Sequence, residues 1–138
     1  MKNKIITILT FSFIFFIFSI FYLSLNQEKT YSTKSLVGKK IDNFELNSLF
    51  ANSKIEIKEL SENNFTLINI WASWCAPCRK EHKYLLLLKN KEKLKILGIN
   101  FKDKKNKAKN FLKELGDPYF YNAKDQSGKK SIKLGAYG

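Results

Sequence analysis

Residues 67–78 read LINIWASWCAPC, an apolar run followed closely by two cysteines with two residues between them. The apolar run is typical of a central buried strand. Residues 76–90 then place apolar side chains at helical spacing, and Pro77 falls in the first turn, where its missing N–H costs no hydrogen bond. A strand that delivers a C-x-x-C sequence to the start of a helix is typical of a thiol–disulfide exchange site.

Cys75 and Cys78 are the only cysteines of the chain, and their positions predict different roles. Cys75 meets the partial positive charge and free N–H groups of the helix start, which stabilise a thiolate, so it is the predicted nucleophile. Cys78 lies one turn further on, close enough to form a disulfide with Cys75, and is the predicted resolving thiol.

Other uses of the two cysteines are less well supported by the sequence. Two structural thiols or a structural disulfide would serve stability alone. A structural zinc site needs four ligands, and His82 is the one histidine that could join the pair. Covalent haem attachment requires C-x-x-C-H, and Arg79 occupies the fifth position. We therefore expect neither a metal nor another cofactor.

The N-terminal region predicts a membrane anchor. Residues 5–25 carry no charged side chain, and a helix of this length spans a bilayer core of about 30 Å. A cleaved signal peptide would have a shorter apolar region and a small-x-small exit, which favours an uncleaved anchor. Lys2 and Lys4 would stay in the cytoplasm, so the remainder would face outward, into the periplasm of a bacterium. Residues 26–35 are polar and predict a flexible tether.

Charge and length narrow the class of protein. The net charge is +13, but the lysines are scattered and Arg79 is the one arginine, whereas phosphate-binding surfaces favour arginine. The sequence therefore argues against nucleic-acid binding. The 113 residues after the anchor suffice for one small domain and not for two.

The remaining pattern alternates strands and helices. Short strands are predicted at 44–46 and 55–58, a buried strand at 94–101, a brief strand at 119–122, and one or two helical turns at 127–134. A helix is predicted at 104–115, with Asp103 as its N-cap and Gly116 as its C-cap glycine. The order β-α-β-α predicts an α/β fold with parallel strands.

Several segments together resemble the CcmG (DsbE) family, the membrane-anchored thioredoxin-like proteins of cytochrome c maturation. The segment 71–78 is similar to the family's active-site sequence, and residues 79–85 are similar to its R-x-E-H-x-Y-L run. Residues 98–103, 111–119 and 134–138 resemble its G-(V/I)-N-Y-K-D, L-K-E-L-G-N-P-Y and L-G-V-Y-G segments. The resemblance runs from about residue 36 to the last residue.

The resemblance implies a thioredoxin-like fold and a function. It implies a reductant of the disulfide in apocytochrome c or in its cytochrome c maturation partner, re-reduced by a membrane thiol electron donor of the DsbD or CcdA type. It implies that Glu81, one turn after Cys78, tunes the thiols, since a nearby carboxylate disfavours the thiolate. The alternative is that Glu81 is a solvated helix glutamate without a role at the site. Trp74 and Pro77 are expected to contact the substrate, while Trp71 is expected in the core.

The chain also departs from the family pattern. Family members continue after L-G-V-Y-G with a cis-proline loop, and neither Pro77 nor Pro118 stands at that position. We therefore expect residues 36–138 to form a thioredoxin-like domain that lacks this loop, the last antiparallel strands and the final helix. A general periplasmic thiol–disulfide reductase, an oxidase on the same fold and an inactive truncated fragment remain as alternatives. Asn69 and His82 are expected to play structural roles.

Overall fold

A computed structural model describes residues 2–25, 36–41, 44–61 and 65–136, and the chain divides into two units, Met1–Ser32 and Thr33–Gly138. The predicted tether at 26–35 and the final two residues of the 134–138 segment lie outside the described residues. The first unit contains helix α1 (Lys2–Leu25), which covers the predicted anchor. Within it, Asn3–Leu25 is long and apolar enough to cross a membrane, with a mean hydropathy of 2.4.

The described residues of the second unit form five strands: β1 (Glu45–Ser48), β2 (Lys54–Glu56), β3 (Phe65–Trp71), β4 (Leu94–Phe101) and β5 (Tyr121–Asp125). They make up a mixed sheet in the order β2-β1-β5-β4-β3. β3, β4 and β5 run parallel, whereas β1 pairs antiparallel with both β5 and β2. Antiparallel strands are therefore present, supplied by the segment before the cysteines.

Among the described residues, four helices connect or follow these strands: α2 (Ile57–Ser61), α3 (Ala76–Leu88), α4 (Lys105–Leu115) and α5 (Lys129–Lys133). The two long helices and the buried strand β4 lie close to their predicted positions. β3 also lies where a strand is predicted, but the prediction of a central buried strand is wrong, because in the described sheet β3 is an edge strand that pairs with β4 and is mostly only partly buried. The predicted strand at 55–58 is wrong in its second half, because α2 begins at Ile57. The brief strand begins at Tyr121 instead of residue 119, after Pro118, which has no N–H to donate to a ladder.

Apolar side chains pack on both faces of the sheet. On one face α3 and α4 cover a cluster in which Ala108, Phe111 and Leu112 lie on the buried stripe of α4, as the helical spacing predicts. On the other face Leu46, Leu60 and neighbouring strand residues form a second cluster. Buried β4 contributes to both, because successive residues such as Ile96 and Leu97 point to opposite faces.

Glycine ends α4 as predicted. Gly116 is its C-cap residue, and its φ of 89° lies in the region that side chains with a Cβ avoid. A Cβ at this position would also lie 3.1 Å from the side chain of Leu86 on α3. The glycine therefore allows the turn after α4 to pass close to α3.

Candidate functional site

The two cysteines lie where the edge strand β3 leads into α3. After β3 ends, the N–H of Cys75 donates to the carbonyl of Ala72 at 3.2 Å, which closes a tight turn. Cys75 is the N-cap residue of α3, with extended backbone, and its Sγ accepts a hydrogen bond from the N–H of Cys78 at 3.3 Å. Pro77 occupies the first helical turn. The sulfur of Cys75 therefore sits at the N-terminus of the helix, as the sequence indicates.

Cys75 and Cys78 are joined by a disulfide, with their Cα atoms 5.3 Å apart. Both residues are partly exposed. When the disulfide is reduced, the free N–H groups and the dipole of α3 favour the thiolate form of Cys75 over that of Cys78, which lies inside the first turn.

Trp74 presents its ring next to the disulfide. The side chain is 62% exposed, yet its Nε1 donates to the carbonyl of Lys102 at 3.3 Å. Its ring also lies 6.4 Å from that of Phe101, measured between centroids. An exposed aromatic ring that is held at one end offers an apolar contact surface at little entropic cost.

Ser73, two residues before Cys75, is bound by a carboxylate from another loop. The Ser73 N–H donates to Oδ2 of Asp103 at 2.6 Å, and the Ser73 hydroxyl donates to Oδ1 at 2.9 Å. The same carboxylate accepts from Nδ2 of Asn100 at 3.1 Å and from the N–H of Lys104 at 2.7 Å.

The prediction that Asp103 is the N-cap of the second long helix is wrong. The N-cap of α4 is Lys104, which makes no side-chain cap hydrogen bond. Asp103 instead directs its carboxylate toward the turn before Cys75. Burial raises the pKa of this carboxyl, but the hydrogen bonds from Ser73, Asn100 and Lys104 outweigh that effect, and the pKa lies below its usual value. Asp103 is thus charged at neutral pH.

The other side chains singled out on α3 lie in different environments. Glu81 is exposed, and in the described part of the chain its carboxylate makes no hydrogen bond or ion pair. His82 is buried, and its Nε2 lies 2.8 Å from the carbonyl oxygen of Gly116. Its ring forms a T-shaped pair with that of Phe111, with the ring centroids 5.0 Å apart. The prediction of a packing role for His82 is confirmed.

Asn69 and Trp71 help to fix the strand behind the cysteines. Nδ2 of Asn69 donates to the hydroxyl of Tyr119 at 2.9 Å, which confirms the predicted structural role. Burial raises the pKa of the Tyr119 phenol well above its usual value, so this group stays protonated. Trp71 is 2% exposed and stacks on Tyr119 at 5.4 Å, so its predicted place in the core is also confirmed.

Asp125 is a second buried carboxylate that sequence reasoning missed. It accepts hydrogen bonds from the N–H of Gly128, the hydroxyl of Ser127, and both the N–H and the hydroxyl of Ser131. Burial raises the pKa of this carboxyl, but these hydrogen bonds lower the pKa by more than burial raises it, so it lies below its usual value. The sequence D-x-S-G at 125–128 is typical of a turn closed by an aspartate side chain, and this signal could have identified it.

In a comparison with known protein families, residues 36–138 match the Redoxin family. The chain is 36% identical over 115 residues to the thiol:disulfide interchange protein DsbE of Vibrio cholerae, covering 83% of this chain and 62% of the relative. It is 38% identical over 105 residues to the protein of the same name from Escherichia coli K12, covering 75% and 56%. The chain thus spans less than two thirds of the length of these relatives.

Solved structures agree with the fold. A DsbF homologue from Corynebacterium diphtheriae superimposes with a TM-score of 0.62 at 24% identity, covering 82% of this chain and 73% of that one. A secreted Mycobacterium tuberculosis disulfide oxidoreductase homologous to E. coli DsbE superimposes with a TM-score of 0.57 at 17% identity, covering 67% of each chain. The predicted thioredoxin-like α/β fold is confirmed.

Proposed function

Because the chain belongs to the redoxin family, we propose that it is a thiol–disulfide oxidoreductase in which Cys75 attacks the substrate and Cys78 resolves the intermediate. One observation carries the proposal: the sulfur of Cys75 lies at the N-terminus of α3, within reach of the N–H of Cys78, and the two cysteines are linked. This position provides both a stabilised thiolate and a partner for the second step.

The reaction starts from the reduced pair. The Cys75 thiolate attacks one sulfur of a substrate disulfide, which forms a mixed disulfide and releases the other substrate sulfur as a thiolate. The Cys78 thiol loses its proton and attacks Sγ of Cys75, which releases the second substrate sulfur. The substrate gains two electrons and two protons, and the chain is left with the Cys75–Cys78 disulfide. Another dithiol must then reduce that disulfide for a second turnover.

Neighbouring side chains are assigned supporting roles. The exposed ring of Trp74 and the exposed Pro77 form the surface that meets the substrate next to the sulfur atoms. Glu81 lies one turn beyond Cys78 on α3, where its negative charge disfavours a thiolate. A less stable thiolate destabilises the reduced form and makes the pair a stronger reductant.

The proposed biological setting is cytochrome c maturation at the bacterial inner membrane. The relatives named DsbE and the apolar helix Asn3–Leu25 support a single-pass protein with its second unit in the periplasm. Its proposed substrates are the disulfide of apocytochrome c and that of its maturation partner. The proposed electron donor is a membrane thiol protein of the DsbD or CcdA type.

The reduction potential of the Cys75–Cys78 pair tests the proposed direction of electron flow. The full chain in mild detergent is equilibrated with glutathione buffers, and the fraction reduced is measured by alkylation and mass spectrometry. We expect a value nearer to the ~−270 mV of thioredoxin than to the ~−120 mV of DsbA.

The possible results separate the proposed function from its alternatives. A potential near that of DsbA would contradict a reductant and indicate an oxidase. A reducing potential without turnover of a disulfide substrate would indicate an inactive fragment. Turnover of insulin and of an apocytochrome c peptide at equal rates would indicate a general reductase.

A further inference from the structure

We propose that Asp103 is a positioning residue for the cysteine pair, because its carboxylate binds the turn that carries Cys75 to the start of α3. The inference deepens the proposed function, on which it rests. Asp103 belongs to the loop after β4, and Ser73 belongs to the loop after β3, so the contact joins two loops at the same edge of the parallel part of the sheet.

The contact is directed at the backbone of the turn. The turn closes between the carbonyl of Ala72 and the N–H of Cys75, and Ser73 is its second residue. Asp103 binds both the N–H and the hydroxyl of Ser73, with one carboxylate oxygen for each. A charged acceptor with two hydrogen bonds restrains both the position and the direction of the peptide.

Asp103 is itself firmly held. Its side chain is buried and also accepts hydrogen bonds from Asn100 and Lys104, while its backbone carbonyl accepts from Nε2 of Gln126 at 2.8 Å. A carboxylate with so many donors around it has one favoured orientation. Ser73 is therefore bound to a rigid group.

The same loop restrains the residue between Ser73 and Cys75. The carbonyl of Lys102 accepts the hydrogen bond from Trp74, and Lys102 adopts a φ of 43°, which residues with a Cβ rarely occupy. The loop at 102–103 thus contacts two successive residues of the turn. These contacts hold the Cys75 sulfur at the helix N-terminus.

Loss of this restraint and loss of the Asp103 charge have opposite effects on the pKa of the Cys75 thiol. If the turn moves, the Cys75 thiolate loses its place at the helix N-terminus, and its pKa rises. If only the negative charge of Asp103 mattered, its removal would stabilise the thiolate, and the pKa would fall. The direction of the change therefore distinguishes positioning from simple electrostatics.

The test compares Asp103→Asn with the wild-type full chain, reduced and kept in mild detergent. The pH profile of Cys75 alkylation by iodoacetamide is followed by mass spectrometry of the cysteine-containing peptide. We expect the midpoint to move upward, by up to about one pH unit. A downward movement or an unchanged midpoint would overturn the proposal.

Two further variants keep the result interpretable. Asp125→Asn removes a similarly buried and hydrogen-bonded carboxylate, whose side chain binds Ser127 and Gly128 in the loop before α5 and Ser131 within α5. We expect it to leave the midpoint unchanged. Ser73→Ala removes one of the two hydrogen bonds to Asp103 without a change of charge. We expect a smaller upward movement from it, and no movement would overturn the proposal even if Asp103→Asn does not fold.

The experiment also separates this proposal from the proposed function. A wild-type midpoint equal to that of an ordinary cysteine would contradict the proposed reactivity of Cys75. The role of Asp103 is measured as the difference in midpoint between each variant and wild type. Equal midpoints in Asp103→Asn, Ser73→Ala and wild type would contradict the positioning role of Asp103 but not the proposed reactivity of Cys75.

Discussion

Replacement of Cys75 by serine is expected to reduce disulfide exchange to the rate seen without protein, whereas Cys78→Ser is expected to stop the reaction halfway. A serine hydroxyl stays protonated at neutral pH and cannot form a disulfide, so Cys75→Ser removes the first step. Cys78→Ser leaves the attack intact but removes the thiol that releases the substrate. The substrate should therefore remain attached to Cys75.

The measurement uses the full chain in mild detergent with a peptide that carries an internal C-x-x-C-H disulfide. Non-reducing gels and mass spectrometry should show a covalent complex with Cys78→Ser and none with Cys75→Ser. Lys107→Gln changes an exposed side chain on α4, a different helix from the one that carries the cysteines, and serves as a control with near-normal turnover. A complex formed through Cys78 in the Cys75→Ser variant would contradict the assignment of Cys75 as the nucleophile.

Asp125→Asn is expected to lower the free energy of unfolding at pH 7 by about 1–3 kcal/mol, because at least one buried N–H loses its carboxylate acceptor. The N–H of Gly128 retains a longer contact, 3.3 Å, with the backbone carbonyl of residue 125. Each carboxylate oxygen accepts from one backbone N–H, that of Gly128 or that of Ser131. An amide offers one oxygen, and its NH₂ group must face one of the two donors. The hydroxyls of Ser127 and Ser131 can rotate, so the backbone N–H dominates the cost.

The stability lost in Asp125→Asn should depend on pH, in a direction set by the pKa of Asp125. The folded-state pKa of Asp125 lies below the value of about 3.9 expected in the unfolded chain. Its contribution to stability is therefore present above the unfolded pKa and is lost as pH falls through the folded pKa. The difference between wild type and Asp125→Asn should be constant near neutral pH and shrink below about pH 4.

Urea unfolding of both proteins at several pH values, followed by tryptophan fluorescence, checks this expectation. Glu114→Gln is the matched control, since Glu114 pairs with Arg79 at 2.6 Å on an exposed surface. Such a pair contributes at most about 1 kcal/mol. An unfolding free-energy difference for Asp125→Asn that stays constant into acid would contradict a charged Asp125 in the folded chain.

The parts of the site that are local in sequence could be predicted from it. The strand before Cys75 and the helix after it follow from a short apolar run, a proline and helical spacing, and all of these act within about a dozen residues. The α4 stripe and Gly116 were likewise predicted from local patterns. The resemblance added the wider fold, which the structural neighbours confirm.

The contacts between distant loops could not be predicted in this way. Asp103 precedes a predicted helix, so the local pattern favoured a cap, whereas the folded chain brings it to Ser73, 30 positions earlier. The pairing depends on the parallel register of β3 and β4, which places Trp71 beside Asn100 and hence the two following loops side by side. Residue types alone do not specify that register.

The central claim is that Cys75 is held as the reactive thiol of the pair, and its pH-dependent alkylation in the reduced, folded, wild-type chain tests it most directly. The account predicts a midpoint for Cys75 clearly below the ~8.5 of an ordinary cysteine, with slower modification of Cys78 at neutral pH. A Cys75 midpoint at or above that value, or faster modification of Cys78, would contradict it.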